Sequence, residues 1–336
     1  GAGEPPVVVH PQDLHDALMS GLGDQVDLRT GVAVRSARPG TDRPAVSDGQ
    51  TTFEADLVVG ADGVDSAVRG RLAPGSVFAT AGFAAWRAVI PGYRAPKLPA
   101  DIPASGETIG KGHRFVHVML GDLAGTGGSA RAGISWVATA PGAPRPEPPA
   151  TQLDLLRRWF TGWPAPIGDL LAATEPDDIL QDGVGELRPV PPALSWPVGV
   201  GGYALIGDAG HAMTHYLGQG ACLALEDAAT LQAVVHDTIP GRTLDQGLAE
   251  YSRLRLPRVT KVAARSRRVG QAMQGQSGLG LRARNAAMGR FLPRLLDRAT
   301  ADLLGVLAES GTSTVVSGSS GAGKTTLLSC CLAELD

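Results

Sequence analysis

The stretch that decides the fold is Gly207-Asp208-Ala209-Gly210-His211-Ala212-Met213, continued by Gly218-Gln219-Gly220-Ala221-Cys222-Leu223-Ala224-Leu225-Glu226-Asp227-Ala228. Before it, Tyr203-Ala204-Leu205-Ile206 reads as the end of a buried strand. Gly207 lets the backbone turn, and Asp208 presents a carboxylate at the strand's carboxyl end. Gly218 and Gly220 permit close approach of backbone to a ligand. Ala221 to Leu231 reads as a helix with small and apolar residues on one face. Open α/β sheets bind ligands at such a place, outside the carboxyl ends of their strands. A carboxylate there suits hydrogen bonds from a ribityl or ribose hydroxyl. Gly-Asp alone is also a common turn pair, so the long continuation carries the specificity.

A second stretch repeats the pattern. Asp56-Leu57-Val58-Val59-Gly60-Ala61-Asp62-Gly63-Val64-Asp65-Ser66-Ala67-Val68-Arg69 runs strand, tight turn, helix start. Leu57-Val58-Val59 is a short apolar run of the kind found in fully buried strands. Gly60 and Gly63 bracket Asp62, and Ser66 is placed to cap or begin the helix.

Together these motifs resemble those of the FAD-dependent aromatic hydroxylases, the group A flavoprotein monooxygenases. The resemblance implies that Gly207 and Asp208 hold the ribityl chain and that Gly218-Gln219-Gly220 lies near the flavin. It implies contacts of Asp62 and Gly63 with the FAD pyrophosphate region, with Arg69 the basic residue that ends a motif also implicated in NAD(P)H use. The alternative for Arg69 is a solvated helix charge. Two positions depart from the family pattern: Gly210 stands for the usual Ala, and His215 for the usual Pro. Loss of that Pro frees the backbone beside the expected flavin ring. Further segments fit, namely Gly82-Phe83-Ala84-Ala85-Trp86-Arg87, Leu187-Arg188-Pro189, Ser195-Trp196-Pro197 and Tyr251-Ser252-Arg253-Leu254-Arg255. The likeness spans residues from about 7 to about 305.

The family's opening Gly-x-Gly-x-x-Gly turn is not found; Gly1-Ala2-Gly3 and Gly21-Leu22-Gly23 lack its third Gly and preceding apolar strand. Val7 to His15 resembles a later family segment, with Pro11 where the family often has Arg. The expectation is a chain lacking the amino-terminal dinucleotide unit and holding FAD weakly. The resemblance implies an activity in which NAD(P)H reduces FAD and O2 is used to hydroxylate an electron-rich aromatic small molecule. No side chain identifies itself as a catalytic base.

A third motif lies near the end. Thr314-Val315-Val316-Ser317 is a strand candidate, and Gly318-Ser319-Ser320-Gly321-Ala322-Gly323-Lys324-Thr325 matches Gly-x-x-x-x-Gly-Lys-Thr. In such a P-loop, Gly318 and Gly323 shape a backbone cradle for phosphate, Lys324 reaches the outer phosphates and Thr325 ligates Mg²⁺. The run resembles the start of secretion-type ATPases. With no acidic strand residue after it, no ATP hydrolysis is expected. A nucleotide-binding module using ATP and Mg²⁺, or a non-functional fusion, is therefore the alternative to an oxidoreductase.

The fold class expected is α/β with α+β elements. It comprises the remainder of a Rossmann-like FAD-binding domain, an inserted sheet-rich substrate domain, and a short strand–P-loop–helix tail. The boundaries expected are 1–75 and 191–305 for the FAD domain, 76–190 for the substrate domain and 306–336 for the tail. Strands are predicted over Phe83 to Ile90, Arg114 to Leu120 and Arg131 to Ala138, with helices over Leu14 to Leu22 and Gln152 to Phe160. Arg253 to Arg268 reads as a solvated helix face. His211 is read as either a flavin neighbour or a hydrogen-bonded structural residue. In the 336-residue chain the hydrophobic fraction of 43% suffices for a core. A net charge of −3, no basic block and 4% aromatic residues argue against nucleic acid. Cys222, Cys330 and Cys331 have no metal spacing, and reduced thiols point to a cytoplasmic protein. No apolar run is long enough to span a membrane.

Overall fold

The computed structural model describes residues 10–20, 22, 26–38, 42–110, 112–121, 131–235, 241 and 243–273. Its first part holds α1 (Pro11–Ser20), β1 (Ser36–Ala37), β2 (Ala45–Ser47), β3 (Thr52–Glu54), β4 (Leu57–Gly60) and α2 (Ala67–Leu72). The middle holds β5 (Val77–Pro91), β6 (Ser105–Ile109), β7 (Arg114–Leu120), β8 (Gly133–Pro141), α3 (Pro149–Trp159), α4 (Ile167–Ala173) and β9 (Leu180–Arg188). The last part holds β10 (Ser195–Val198), β11 (Gly201–Leu205), α5 (Asp208–His211), α6 (Gly220–Val235) and α7 (Leu244–Met273). The architecture is mixed α/β.

Three sheets result. β1, β2 and β3 form a small antiparallel sheet. In the second sheet β11 lies between β10, antiparallel, and β4, parallel. The parallel pair places Gly202 opposite Leu57 and Leu205 opposite Gly60. The third sheet runs β6-β7-β8-β5-β9, with antiparallel neighbours throughout.

Strand alternation sorts the residues of this third sheet between two faces. Ala84, Trp86, Ala88 and Ile90 of β5 join Phe115, Ile134, Trp136 and Ala138 in a core closed by Leu153 and Leu156 of α3 and Leu170 of α4. Both indoles keep a partner in this apolar layer: Trp86 Nε1 donates to Gln152 Oε1 at 2.8 Å and Trp136 Nε1 to Thr174 Oγ1 at 2.9 Å. A second core packs Ala204 of β11 and Leu223 and Leu231 of α6 against Leu248, Tyr251, Val259 and Ala263 of α7. Phe83, Ala85, Val137 and Val184 form the other face of the large sheet, with Tyr216 packed on them.

Several elements depart from the sequence reading. β7 matches it, but β5 starts at Val77 instead of Phe83. The register shifts between Thr80 and Ala84, and Gly82 sits at φ +81°. The glycine taken as a strand start is part of a bulge inside a longer strand. β8 runs Gly133–Pro141 and so ends three residues later than predicted. α1 and α3 begin at Pro11 and Pro149, earlier than predicted, because proline suits a first helical turn. β4 is not fully buried: Val59 is 41% exposed. Among the described residues β4 has one neighbour in its sheet, β11. No helix among the described residues is long and apolar enough to cross a membrane.

Candidate functional site

The parallel register of β4 and β11 sends both acidic motifs out of the same sheet edge. The Ile206 backbone N–H donates to Gly60 O at 3.0 Å, which keeps the pairing through the last residue before the turns. Gly207 then takes φ +57° and ψ −142°, a conformation open chiefly to glycine. A Cβ there would lie 3.2 Å from the Ala224 Cβ, so the turn and α6 are tightly apposed.

Asp208 follows and is half-buried beside Val64, Phe78, Gly185, Ala212 and Met213 in a narrow cleft. Among the described residues its carboxylate has no hydrogen-bond partner. Burial raises its pKa above the ordinary carboxylate value, with the nearby His211 opposing. A desolvated carboxylate gains from any hydroxyl that donates to it. This acceptor therefore fits a polyhydroxy chain such as the ribityl of FAD.

Asp62 is exposed and acts on its own helix. One carboxylate oxygen accepts from Ser66 Oγ at 2.5 Å, and the other accepts from the Ala67 and Val68 N–H groups at 2.8 and 3.3 Å. Ser66 caps α2 by accepting from Arg69 N at 2.9 Å. Gly63 lies in the same turn at φ +77°. Arg69 is not a solvated helix charge. It is 5% exposed and donates to the carbonyls of Gly63, Val64, Ser76 and Ala209. The bond to Ala209, 3.1 Å long, ties the first motif to the second.

The Gly-Gln-Gly loop follows a short 3-10 turn, His215–Leu217. Gly218 caps that turn in the left-handed region, at φ +61°. Gln219 O accepts from Leu223 N at 2.9 Å, and Gly220 opens α6. His215 is buried, stacked on Tyr216 with centroids 4.9 Å apart and edge-on to Phe83 at 6.1 Å. Burial pushes its pKa down to about 3, and the charge of Arg114 adds to the effect.

The sequence reading missed a polar hub behind the loop. Asp227, fully buried, accepts from Gly207 N at 2.9 Å, His211 Nε2 at 2.5 Å and Arg255 Nε at 2.8 Å. Glu226 pairs with Arg255 at 2.6 Å and with Arg258 through both oxygens. Arg253 to Arg268 is thus not simply a solvated face. Arg253, Arg265 and Arg268 are exposed, whereas Arg255 is buried and Arg258 and Arg267 are paired. The signal lay in the adjacent Glu226-Asp227 and in arginines spaced by three on a later helix. Of the two readings of His211, the hydrogen-bonded structural one matches its geometry. No group of His, Cys, Asp and Glu suited to a metal occurs among the described residues. Gly318, Gly323, Lys324 and Thr325, the P-loop candidates, lie outside the described residues, as do Cys330 and Cys331.

Comparisons with known proteins point to one family. The family described as FAD binding domain matches residues 197–266, which include β11, the Gly-Asp turn and α6. Aurachin C monooxygenase/isomerase of Stigmatella aurantiaca is 32% identical over 290 residues, covering 85% of this chain and 69% of that protein. 3-Amino-4-hydroxybenzoate 2-monooxygenase of Streptomyces cremeus is 32% identical over 270 residues, covering 80% of this chain and 63% of its own length. Among solved structures, Klebsiella pneumoniae HpxO complexed with FAD and uric acid superposes with a TM-score of 0.67 at 26% identity, covering 85% of this chain and 70% of that one. With the two acidic turns on one sheet edge and relatives of this extent, the chain belongs to the FAD-binding monooxygenase family.

Proposed function

We propose that this protein is an FAD-dependent, NAD(P)H-using monooxygenase that hydroxylates a small aromatic compound. The observation that carries the reading is Asp208: a half-buried carboxylate with no hydrogen-bond partner among the described residues, at the edge where both motif turns emerge. In this reading Gly207 and Asp208 hold the ribityl chain. Gly218, Gln219 and Gly220 line the flavin ring with backbone. Asp62 and Gly63 face the pyrophosphate region, and Arg69 keeps their turn in place through its carbonyl contacts. When bound, FAD would supply the redox chemistry with NAD(P)H and O2, and the chain positions and shields the reactants. The apolar sheet face of Phe83, Ala85, Val137 and Val184 is the wall for the aromatic ring.

The test is FAD titration of the purified chain, followed by quenching of flavin fluorescence, for wild type and Asp208→Ala. A hydrogen bond to a charged group contributes roughly 1.5–3 kcal/mol, so the variant should bind about 10- to 150-fold more weakly. Equal affinity of the two proteins would remove Asp208 from the flavin site. NADH or NADPH oxidation that rises on adding an aromatic compound and leaves a hydroxylated product checks the reaction.

A further inference from the structure

Between Tyr251 and Gly270 the buried residues of α7 form a single stripe: Tyr251, Arg255, Val259, Ala263, Ser266 and Gly270, spaced by three or four. The first part of the stripe is core, where Tyr251, Val259 and Ala263 pack with α6 and β11. Its last two members are a hydroxyl and a glycine, and neither adds an apolar side chain to that core. The stripe changes character where α7 passes the segment that leads from the Gly-Asp turn to Gly218.

Both residues are fitted to that segment. Ser266 is 0% exposed, and its Oγ donates to Thr214 O at 2.5 Å. That bond uses its one proton, so the Thr214 hydroxyl donates to Ser266 Oγ, at 2.9 Å. Gly270 lies against the Tyr216 ring: a Cβ on it would come within 2.6 Å of Tyr216 Cδ2 and Cε2. Glycine weakens a helix relative to alanine, so its place inside α7 calls for a packing reason, and the ring supplies one. Between the two, Arg267 Nε reaches Glu186 of β9 at 2.6 and 2.8 Å and fixes this turn of α7 against the large sheet.

The segment itself has little to set its backbone. His215 heads its 3-10 turn, and a histidine leaves φ open where a proline ring would lock it. Gly218 closes the turn with its N–H on His215 O at 3.0 Å. The Gly218-Gln219-Gly220 backbone starts from that point, so its direction follows from where Thr214 and Tyr216 are held.

We infer that Ser266 and Gly270 are positioning residues, which clamp Thr214 and Tyr216 to α7 and so aim the Gly218-Gln219-Gly220 backbone at the flavin ring. The inference rests on the flavin reading of that loop. Both residues act through the loop and not on the cofactor. A loop that spends about a tenth of its time in the competent conformation binds its ligand about tenfold more weakly.

The experiment uses the full chain as wild type, Ser266→Ala, Gly270→Ala, Tyr216→Ala, the double variant Gly270→Ala with Tyr216→Ala, and Leu248→Ala. Leu248 is buried in the same core but packs on Gly202, at the end of β11 away from the Gly-Asp turn, so it controls for lost stability. Hydrogen exchange of the flavin-free chain, FAD titration and the visible spectrum of bound flavin are read for each. Ser266→Ala and Gly270→Ala should each speed exchange over 214–220 and weaken FAD binding by about five- to tenfold. The absorption of the bound flavin should move toward that of free FAD. Leu248→Ala should lose global stability yet keep the wild-type spectrum and FAD affinity. The double variant should bind FAD no worse than Tyr216→Ala alone, because the added Cβ then meets no ring. Unchanged exchange and unchanged FAD affinity in either Ser266→Ala or Gly270→Ala, or equal losses in Leu248→Ala, overturn the inference while leaving the flavin reading intact. A wild type that binds no FAD sinks the flavin reading, and this inference with it.

Discussion

Asp227 shows how one buried side chain can organise a turn that its own sequence neighbourhood does not explain. It is fully buried, and burial by itself would raise its pKa. The bond from His211, the charges of His211 and Arg255 and the Gly207 N–H outweigh that and hold it below the ordinary value of 3.8. Replacing Asp227 by Asn keeps the shape but removes one of the two carboxylates that face buried Arg255, leaving Glu226 as its partner. The expected cost is about 1.5–3 kcal/mol at neutral pH for the lost charged hydrogen bonds, measured by urea denaturation. A depressed carboxylate pKa stabilises the fold above the unfolded value, and that contribution is lost as pH falls through the lower folded value. The gap between wild type and Asp227→Asn should therefore narrow once pH drops below about 3.8. A gap that stays constant down to pH 2 would mean Asp227 is not ionised in the fold.

At the scale of elements, α3 and the large sheet show what amphipathic pattern can specify. Gln152, Leu153 and Leu156 are the buried residues of α3, adjacent positions and one four residues on, so they share the face that meets β5 and β8. Leu156 is 0% exposed within that core. Leu156→Ala should cost about 2–5 kcal/mol of unfolding free energy through lost burial and a cavity, read from urea denaturation. FAD affinity should not change, since α3 packs on the large sheet's face opposite Phe83 and Ala85, away from the β4–β11 edge proposed for flavin. A large loss of flavin binding at unchanged stability would contradict this division of the sheet into a core face and a site face. α3, β7 and the Gly-Asp turn were readable from the sequence because each is set by residue spacing within one segment. β5 was read short because Gly82 signals either a strand end or a bulge, and only the pairing with β9 distinguishes the two.

At the scale of the molecule, polar contacts and an apolar patch among the described residues join the large sheet to α7 and the loop before α6. Glu186 of β9, 1% exposed, accepts Arg267 Nε of α7 at 2.6 and 2.8 Å and Arg188 Nε at 2.7 Å. Thr214 and Ser266 bond across the same seam at 2.9 Å, and Phe83 packs on Tyr216. Arg267→Met keeps the stem and removes the charge. Arg188 remains as a partner, so the cost should be modest, about 1.5–3 kcal/mol for the lost charged hydrogen bonds. Hydrogen exchange should show the lost protection concentrated in β9 and the second half of α7. Uniform loss across both cores would mean that the seam has no separate stability.

The sequence by itself determined the two strand–turn–helix motifs, the family they resemble and the residues at the sheet edge. These rest on local requirements: an apolar run for a buried strand, a glycine where φ turns positive, a capping Ser66 before α2. What tertiary structure decided depends on partners far away in the chain. Arg69 meets Ala209 across 140 residues, Asp227 meets Arg255 across 28, and Thr139 comes beside Arg114 only through the register of two strands. A spacing rule carries no information about such meetings, because they follow from which strands pair and which helix faces pack. The roles of Arg69 as a tie between motifs and of Asp227 as a buried hub were for that reason invisible in the sequence. The parallel pairing of β4 with β11 had the largest consequence, since it brings two turns about 145 residues apart to one edge.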